Sequence, residues 1–308
     1  MPRPIPDIAS RARGALLGLA AGNALGVPTE LLDPDTIVRR YPQGVRDILP
    51  GAAAPWDDDL ALTVVLGEEL LEAEVSLERL ATRWIEWAQR DGRGIGLWTR
   101  KALDHIATHG SPPATTGGQA GNGTVSRCVP VALATLNSPR NLVSGTYHTA
   151  ALTHPDERCT WGAVAVNVAA HCLLRGIVDF IPEVLDVLRQ NDAPAVLLEA
   201  VRRVPLERQE QLPVNGPEAG YVVHCTEIAL WFAYREPQLE RGLIWLANAG
   251  GDTDTNAAVA GALMGIRDGD EAIPARWLDA LHEADRLRSL AHRLVGIPVE
   301  VAAADERR

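Results

Sequence analysis

Lysine is almost missing from this sequence. Lys101 stands alone, and arginine carries the remaining side-chain positive charge. Acid outweighs base, with a net charge of -11 at pH 7. A surface of that sign repels phosphate backbones, so no broad binding to nucleic acid is expected; a local cationic pocket for a small phosphorylated ligand is compatible with it. Cysteine is also scarce. Cys128, Cys159, Cys172 and Cys225 form no CxxC pair, which argues against a zinc ribbon or a disulfide framework and for buried thiols. There is no HExxH motif and no Cys/His cluster. No apolar run is long enough for a membrane helix, so no membrane partner is expected. Arg11 and Arg13 ahead of GALLGLAAGNALG imitate a leader peptide. The glycine content and the direct run into a polar motif argue against one, and the expected location is the cytoplasm.

Hydrophobic residues make up 46% of the 308, enough for a sizeable core, and mixed charges argue against disorder. The dominant pattern is helical. Leu77, Leu80, Trp84 and Trp87 share one helix face. Further helices are expected at roughly 60–74, 125–137, 159–174, 182–190, 194–203, 220–234, 239–248, 255–266 and 278–294, with loops at 32–55, 110–123 and 206–220. No period-2 strand stands out. Nothing resembles an interdomain linker, so residues 1–308 read as a single domain with a polar tail at 302–308. Gly14, Gly18, Gly22 and Gly26 recur every four residues on one helix face. Each costs roughly 1 kcal/mol against alanine, which close helix packing must offset. Ala257, Ala258, Gly261 and Gly265 form a second small surface. Helices packed that closely bring their adjoining loops together on one rigid platform.

Four short segments carry the chemistry. Asp57-Asp58-Asp59 precedes an amphipathic run, at a helix N-terminus where the dipole favours negative charge. GGDTDT at 250–255 sets Asp252 and Asp254 beside a glycine pair, with Thr255 positioned to cap the next helix. A solvated helix cap accounts for the first alone; in the second a plain N-cap explains one Asp or Thr, but not two carboxylates and two hydroxyls in four positions. Taken together, the five carboxylates and the threonine hydroxyls suit hard divalent cations, and -5 against +4 is a reasonable balance for a two-metal site. Gly121-Asn122-Gly123-Thr124 opens a helix and reads either as an anion cradle or as a capped turn. Thr153-His154-Pro155-Asp156 also precedes a helix; a lone histidine there is more often a loop hydrogen-bonder than a catalyst. His105, His109, His148, His171, His224, His282 and His292 read as structural or surface residues.

In this order the four segments resemble the ADP-ribosylglycohydrolase family. GALLGLAAGNALGVPTE at 14–30 and GYVVHCTEIALW at 220–231 add to the resemblance, which spans about Gly14 to Gly269. It implies a compact, all-α orthogonal multi-helix bundle. It also implies hydrolysis at C1″ of ADP-ribose with two divalent cations, Mg²⁺ or Mn²⁺, and ADP-ribose or an ADP-ribosylated substrate as partner. The implied metal ligands are Asp57, Asp58, Asp59, Asp252, Asp254 and Thr255. Glu30, on a mobile loop, and Asp58 are the implied catalytic residues. Asn122, Gly123, Thr124 and His154, with Tyr221, would hold phosphates and riboses, and Arg127 either helps them or pairs with an internal carboxylate. Three positions depart from the family pattern. Asp57 replaces a threonine, Asn23 stands where aspartate is common, and Leu60 replaces a further threonine. They leave room for a non-catalytic ADP-ribose binder, or for an N-glycosidase acting on a free nucleoside or nucleotide.

Overall fold

A computed structural model describes residues 6–114 and 120–296. The expected tail at 302–308 lies outside them. In chain order the helices are α1 (Ile8–Gly26), α2 (Pro34–Arg40), α3 (Asp58–Glu69), α4 (Leu77–Arg90), α5 (Leu97–His109), α6 (Gly123–Arg127), α7 (Val129–Ala134) and α8 (Pro139–Ala151). They continue as α9 (Glu157–Leu174), α10 (Ile181–Gln190), α11 (Ala195–Arg203), α12 (Val222–Arg235), α13 (Leu239–Ala247), α14 (Thr253–Asp268), α15 (Ala275–Ala280) and α16 (Ala284–Val295). Among the described residues there is no strand, only one isolated antiparallel bridge, Gly121 to Tyr221. The all-α expectation holds.

Helices without a polar face must be buried on all sides. In α9 every residue from Cys159 to Leu174 is buried, and in α14 every residue from Thr253 to Ile266. With α1 and α12 they form the centre. Amphipathic helices such as α4, α10, α11 and α16 surround it, each burying one stripe; in α16 that stripe is Leu287, Leu290, Ala291 and Leu294. All four cysteines are buried, and among the described residues none forms a disulfide. Arg11 is a core residue. Its Nη1 donates to the carbonyls of Leu173 at 2.7 Å and Ile266 at 3.3 Å, satisfying late carbonyls of α9 and α14. Arg13 pairs with Asp270 at 2.7 Å. Among the described residues no single helix is long and apolar enough to cross a membrane.

The glycine stripe of α1 lies against the small-residue stripe of α14, and the two helices run antiparallel. A methyl group on Gly14 would sit 2.0 Å from the Gly265 carbonyl oxygen; on Gly18, 2.2 Å from that of Gly261; on Gly22, 2.0 Å from that of Ala257. At Gly26 it would meet the Asp254 Cα at 2.3 Å. No other residue fits this backbone-to-backbone approach. It delivers the end of α1 directly onto the start of α14, as the expected platform requires.

Several elements differ from expectation. α2 lies in the stretch expected to be loop, started by the Asp33 carboxylate, which accepts from Thr36 N at 2.9 Å. α5 and α8 were not foreseen. α5 buries only Thr99, Ala102 and Leu103, and α8 mixes β-branched residues with Gly145, so neither shows a strong stripe. The single helices expected at 125–137 and 278–294 are each broken, the first at Cys128 ahead of Pro130 and the second between Ala280 and Ala284. Leu77 opens α4 but stays exposed, while Leu80, Trp84 and Trp87 are buried. Thr255 is not a cap: α14 begins at Thr253, with Asp252 at the N-cap position.

Candidate active site and metal centre

A cavity of about 730 Å³ opens where the N-termini of α3 and α14 meet the glycine loop before α6. Glu30, Asp58, Asp59, Asn122, Gly123, His154, Tyr221, Asp252, Asp254 and Thr255 all line it. Two expected site residues lie behind the wall. Thr124 turns inward, its hydroxyl donating to the Cys159 carbonyl at 2.9 Å. Asp57, the N-cap residue of α3, accepts from Asn23 Nδ2 at 2.8 Å.

Hydroxyl bonds lock the two helix ends together. Thr253 Oγ1 donates to the Gly26 carbonyl at 2.9 Å, and Thr29 Oγ1 lies 3.1 Å from Thr253 Oγ1. Leu31 N donates to the Gly251 carbonyl at 2.8 Å, and Gly251 N to that of Leu32 at 3.1 Å. Glu30 sits between these anchors, on backbone tethered at both flanks. Leu31, at φ 57°, takes the left-handed conformation that non-glycine residues rarely adopt, and it too lines the cavity.

The carboxylates are close enough to raise one another. Burial, then the charges of Asp58 and Asp57, push Asp59 well above the usual carboxylate range. Burial, then Asp252, Asp59 and Glu30, do the same for Asp254. Burial and Asp57 lift Asp58 to about 7, against a hydrogen bond from the Gly96 backbone. Glu30 is raised by burial, then by Asp252 and Asp57. The two acidic motifs thus share one electrostatic site.

On the opposite wall, the backbone around Ala120–Asn122 pairs with that around Gly220–Val222. Asn122 N donates to the Gly220 carbonyl at 3.0 Å and Val222 N to that of Ala120 at 2.9 Å. Asn122 Nδ2 reaches Asp252 Oδ2 at 2.7 Å. Arg127 is buried beneath this loop, its guanidinium 4.7 Å from the Trp84 ring centroid, and donates to the Gly123 carbonyl and to Thr153 Oγ1. Burial pushes it down to about 10. Burial, then the Arg127 charge, pushes His154 down to about 3, so its imidazole is neutral at pH 7.

Over residues 4–302 the chain matches the family described as ADP-ribosylglycohydrolase. It belongs to the ADP-ribosylglycohydrolase family. Among its relatives is the ADP-ribosyl-dinitrogen reductase glycohydrolase of Rhodospirillum rubrum, 28% identical, with 90% of this chain and 92% of that protein covered. The ADP-ribosylarginine hydrolase Tri1 of Serratia proteamaculans is 27% identical, with 94% and 81% covered. A solved structure described as an ADP-ribosylglycohydrolase-related protein complex superposes with a TM-score of 0.79 at 32% identity, covering 94% of this chain and 98% of that one.

Asn23 and Asp57, two of the positions read from the sequence as departures, are bonded to each other, Asn23 donating to Asp57. Three buried carboxylate oxygens, Asp57 Oδ1, Asp59 Oδ2 and Asp254 Oδ1, have no hydrogen-bond partner among the described residues. Such oxygens are costly unless a proton or a cation takes them. The donor set is all oxygen, which fits a hard divalent ion. Among the described residues, no three His, Cys, Asp or Glu side chains already stand in metal-ligating geometry. The fit therefore rests on the unpaired oxygens and on the mutual repulsion.

Sequence reading missed several residues of the wall. Arg158 lines the cavity, holds Asp156 at 2.8 Å and stands 5.7 Å from the Tyr221 ring centroid. Trp98 and Thr99 come from the unforeseen α5. Gly94, at φ 70°, lies over the acidic triplet, where a methyl group would come 2.8 Å from Asp58 Oδ1. No local pattern marks these positions. The glycines of GRGIG at 92–96 were the only available signal.

Proposed function

We propose that the chain hydrolyses the glycosidic bond at C1″ of ADP-ribose, releasing ADP-ribose from a modified protein or other acceptor with the help of two divalent cations, Mg²⁺ or Mn²⁺. The observation that carries this reading is the set of unpartnered buried oxygens on Asp57, Asp59 and Asp254 beside a cavity that is also lined by the Gly121–Gly123 loop, His154 and Arg158. Asp58, Asp59, Asp252, Asp254 and Thr255 would hold the ions from the wall, with Asp57 behind them. When bound, the ions would supply charge that orients ribose hydroxyls and acidifies a water.

The chain's own groups do the rest. The backbone N–H of Gly123, neutral His154 and the Arg158 guanidinium bind acceptor-only phosphate oxygens, while Asn122, whose N–H is held by the Gly220 carbonyl, shapes the loop. Tyr221 flanks them. The raised carboxyl of Glu30 manages the proton of the attacking water as C1″ takes on oxocarbenium character. Arg127 serves from beneath, fixing the loop through its bond to the Gly123 carbonyl.

The test is release of ADP-ribose from arginine-, serine- and nucleic-acid-linked conjugates, with Mg²⁺, Mn²⁺ or EDTA. Metal-dependent release from at least one conjugate is expected. Tight ADP-ribose binding without release from any would leave a non-catalytic binder. Base release from a free nucleoside, unaffected by ADP-ribose, would favour an N-glycosidase.

A further inference from the structure

Thr153 Oγ1 sits between two nitrogens, Arg127 Nη2 and, at 2.9 Å, His154 Nδ1. Thr153 and His154 are each 3% exposed, so every proton in this group must find a partner. Guanidinium nitrogens only donate, and a threonine hydroxyl has a single proton to give. Arg127 therefore fills a lone pair of Thr153. Among the described residues no other acceptor bonds to that hydroxyl. Its proton can go only to His154 Nδ1, which must then be the unprotonated ring nitrogen. In a neutral imidazole this puts the remaining proton on Nε2. That edge of the ring faces the glycine loop at the cavity wall, where a methyl group on Gly121 would lie 3.3 Å from Nε2.

We infer that Arg127 and Thr153 are positioning residues that fix His154 in its Nε2–H tautomer, so that the ring works as a hydrogen-bond donor to an acceptor-only ligand oxygen and not as a base. The ligand half of this statement rests on the reading of the cavity as an ADP-ribose site; the tautomer half does not. Protonating the ring would also put a proton on Nδ1 and leave the Thr153 hydroxyl without an acceptor, in addition to setting a cation near Arg127. The arrangement thus favours one uncharged donor form.

The experiment is ¹⁵N NMR of the His154 imidazole in the full chain, together with calorimetric titration by ADP-ribose at fixed Mg²⁺. Wild type and Thr153→Ser should show the Nε2–H pattern. Thr153→Val, which keeps the shape and removes the hydroxyl, should lose that pattern and bind ADP-ribose about tenfold more weakly, the scale of one lost hydrogen bond. An Nδ1–H pattern in wild type overturns the inference outright, so the test survives a Thr153→Val protein that does not fold. A Thr153→Val protein with an unchanged tautomer, or with a changed tautomer and unchanged affinity, also overturns it. Failure of wild type to bind ADP-ribose at all would instead sink the proposed function, and the spectrum would still decide the tautomer.

Discussion

Asn122 and Asp252 are each 9% exposed and are joined by a single bond of 2.7 Å, from the amide nitrogen to one carboxylate oxygen. The amide thereby satisfies half of a buried carboxylate without adding charge, and ties the glycine loop to the start of α14. Asn122→Asp would set a second carboxylate in that place. In EDTA the variant should lose about 1–3 kcal/mol of stability, the scale of a buried group left unsatisfied. Thermal melts with and without Mn²⁺ check this, and an unchanged melt in EDTA would show that the contact matters little.

The stability of the metal-free protein should depend on pH in a direction fixed by its acids. Asp58 titrates near 7 when folded and near 3.9 when unfolded. Its contribution is complete below pH 4 and is lost as pH rises through about 7. His154 acts oppositely. It titrates near 3 when folded and near 6.5 when unfolded, so its contribution is complete above about 6.5 and is lost as pH falls. Between pH 8 and 6.5 the carboxylates dominate. Melting temperature in EDTA should therefore rise on going from pH 8 to 6.5, and saturating Mg²⁺ should flatten the trend. A fall over that interval in EDTA would contradict the electrostatics described here.

Asp254→Asn keeps the shape of a side chain whose Oδ1 has no partner and whose charge is opposed by Asp252, Asp59 and Glu30. At pH 8 in EDTA the variant should melt no lower than wild type. Hydrolysis should fall at least about a hundredfold, as expected when a ligand position is lost. Wild-type turnover in saturating Mn²⁺ would remove Asp254 from the metal site.

Gly22→Ala forces a methyl group to within 2.0 Å of the Ala257 carbonyl oxygen, in backbone that has little freedom to give way. The loss should be at least about 3 kcal/mol, at the upper end for overpacking. Gly96→Ala, where a methyl group meets nothing within 4 Å, is the control and should leave denaturant midpoints nearly unchanged. Equal midpoints for the two variants would mean that α1 and α14 separate more readily than their contact implies.

The parts of the site that sequence revealed were those written as local anomalies. Three adjacent aspartates at one helix start, together with two more beside a glycine pair at another, exceed what plain helix caps explain, and the stripe at Gly14, Gly18, Gly22 and Gly26 pointed to the contact that joins them. The rest was decided between elements distant in sequence. Arg158 reaches the cavity because Tyr221 and Asp156 meet it there, and Trp98 because α5 forms at all. Thr124 reads like a ligand-binding residue in GNGT but spends its hydroxyl on the Cys159 carbonyl. Chain spacing does not specify which way that side chain turns.

The pairing of Gly14 with Gly265 and of Gly26 with Asp254 also sets an order of events during synthesis. α1 leaves the ribosome long before the α14 surface that covers it is made. At about 5–20 residues per second the delay is on the order of ten to fifty seconds. Through that interval an apolar, glycine-rich helix lacks its α14 mate, and contacts of such long sequence separation form slowly even once the chain is complete. Nascent chains of this protein should therefore be clients of holding chaperones until α14 emerges, and truncation before Asp252 should leave α1 exposed and the product insoluble.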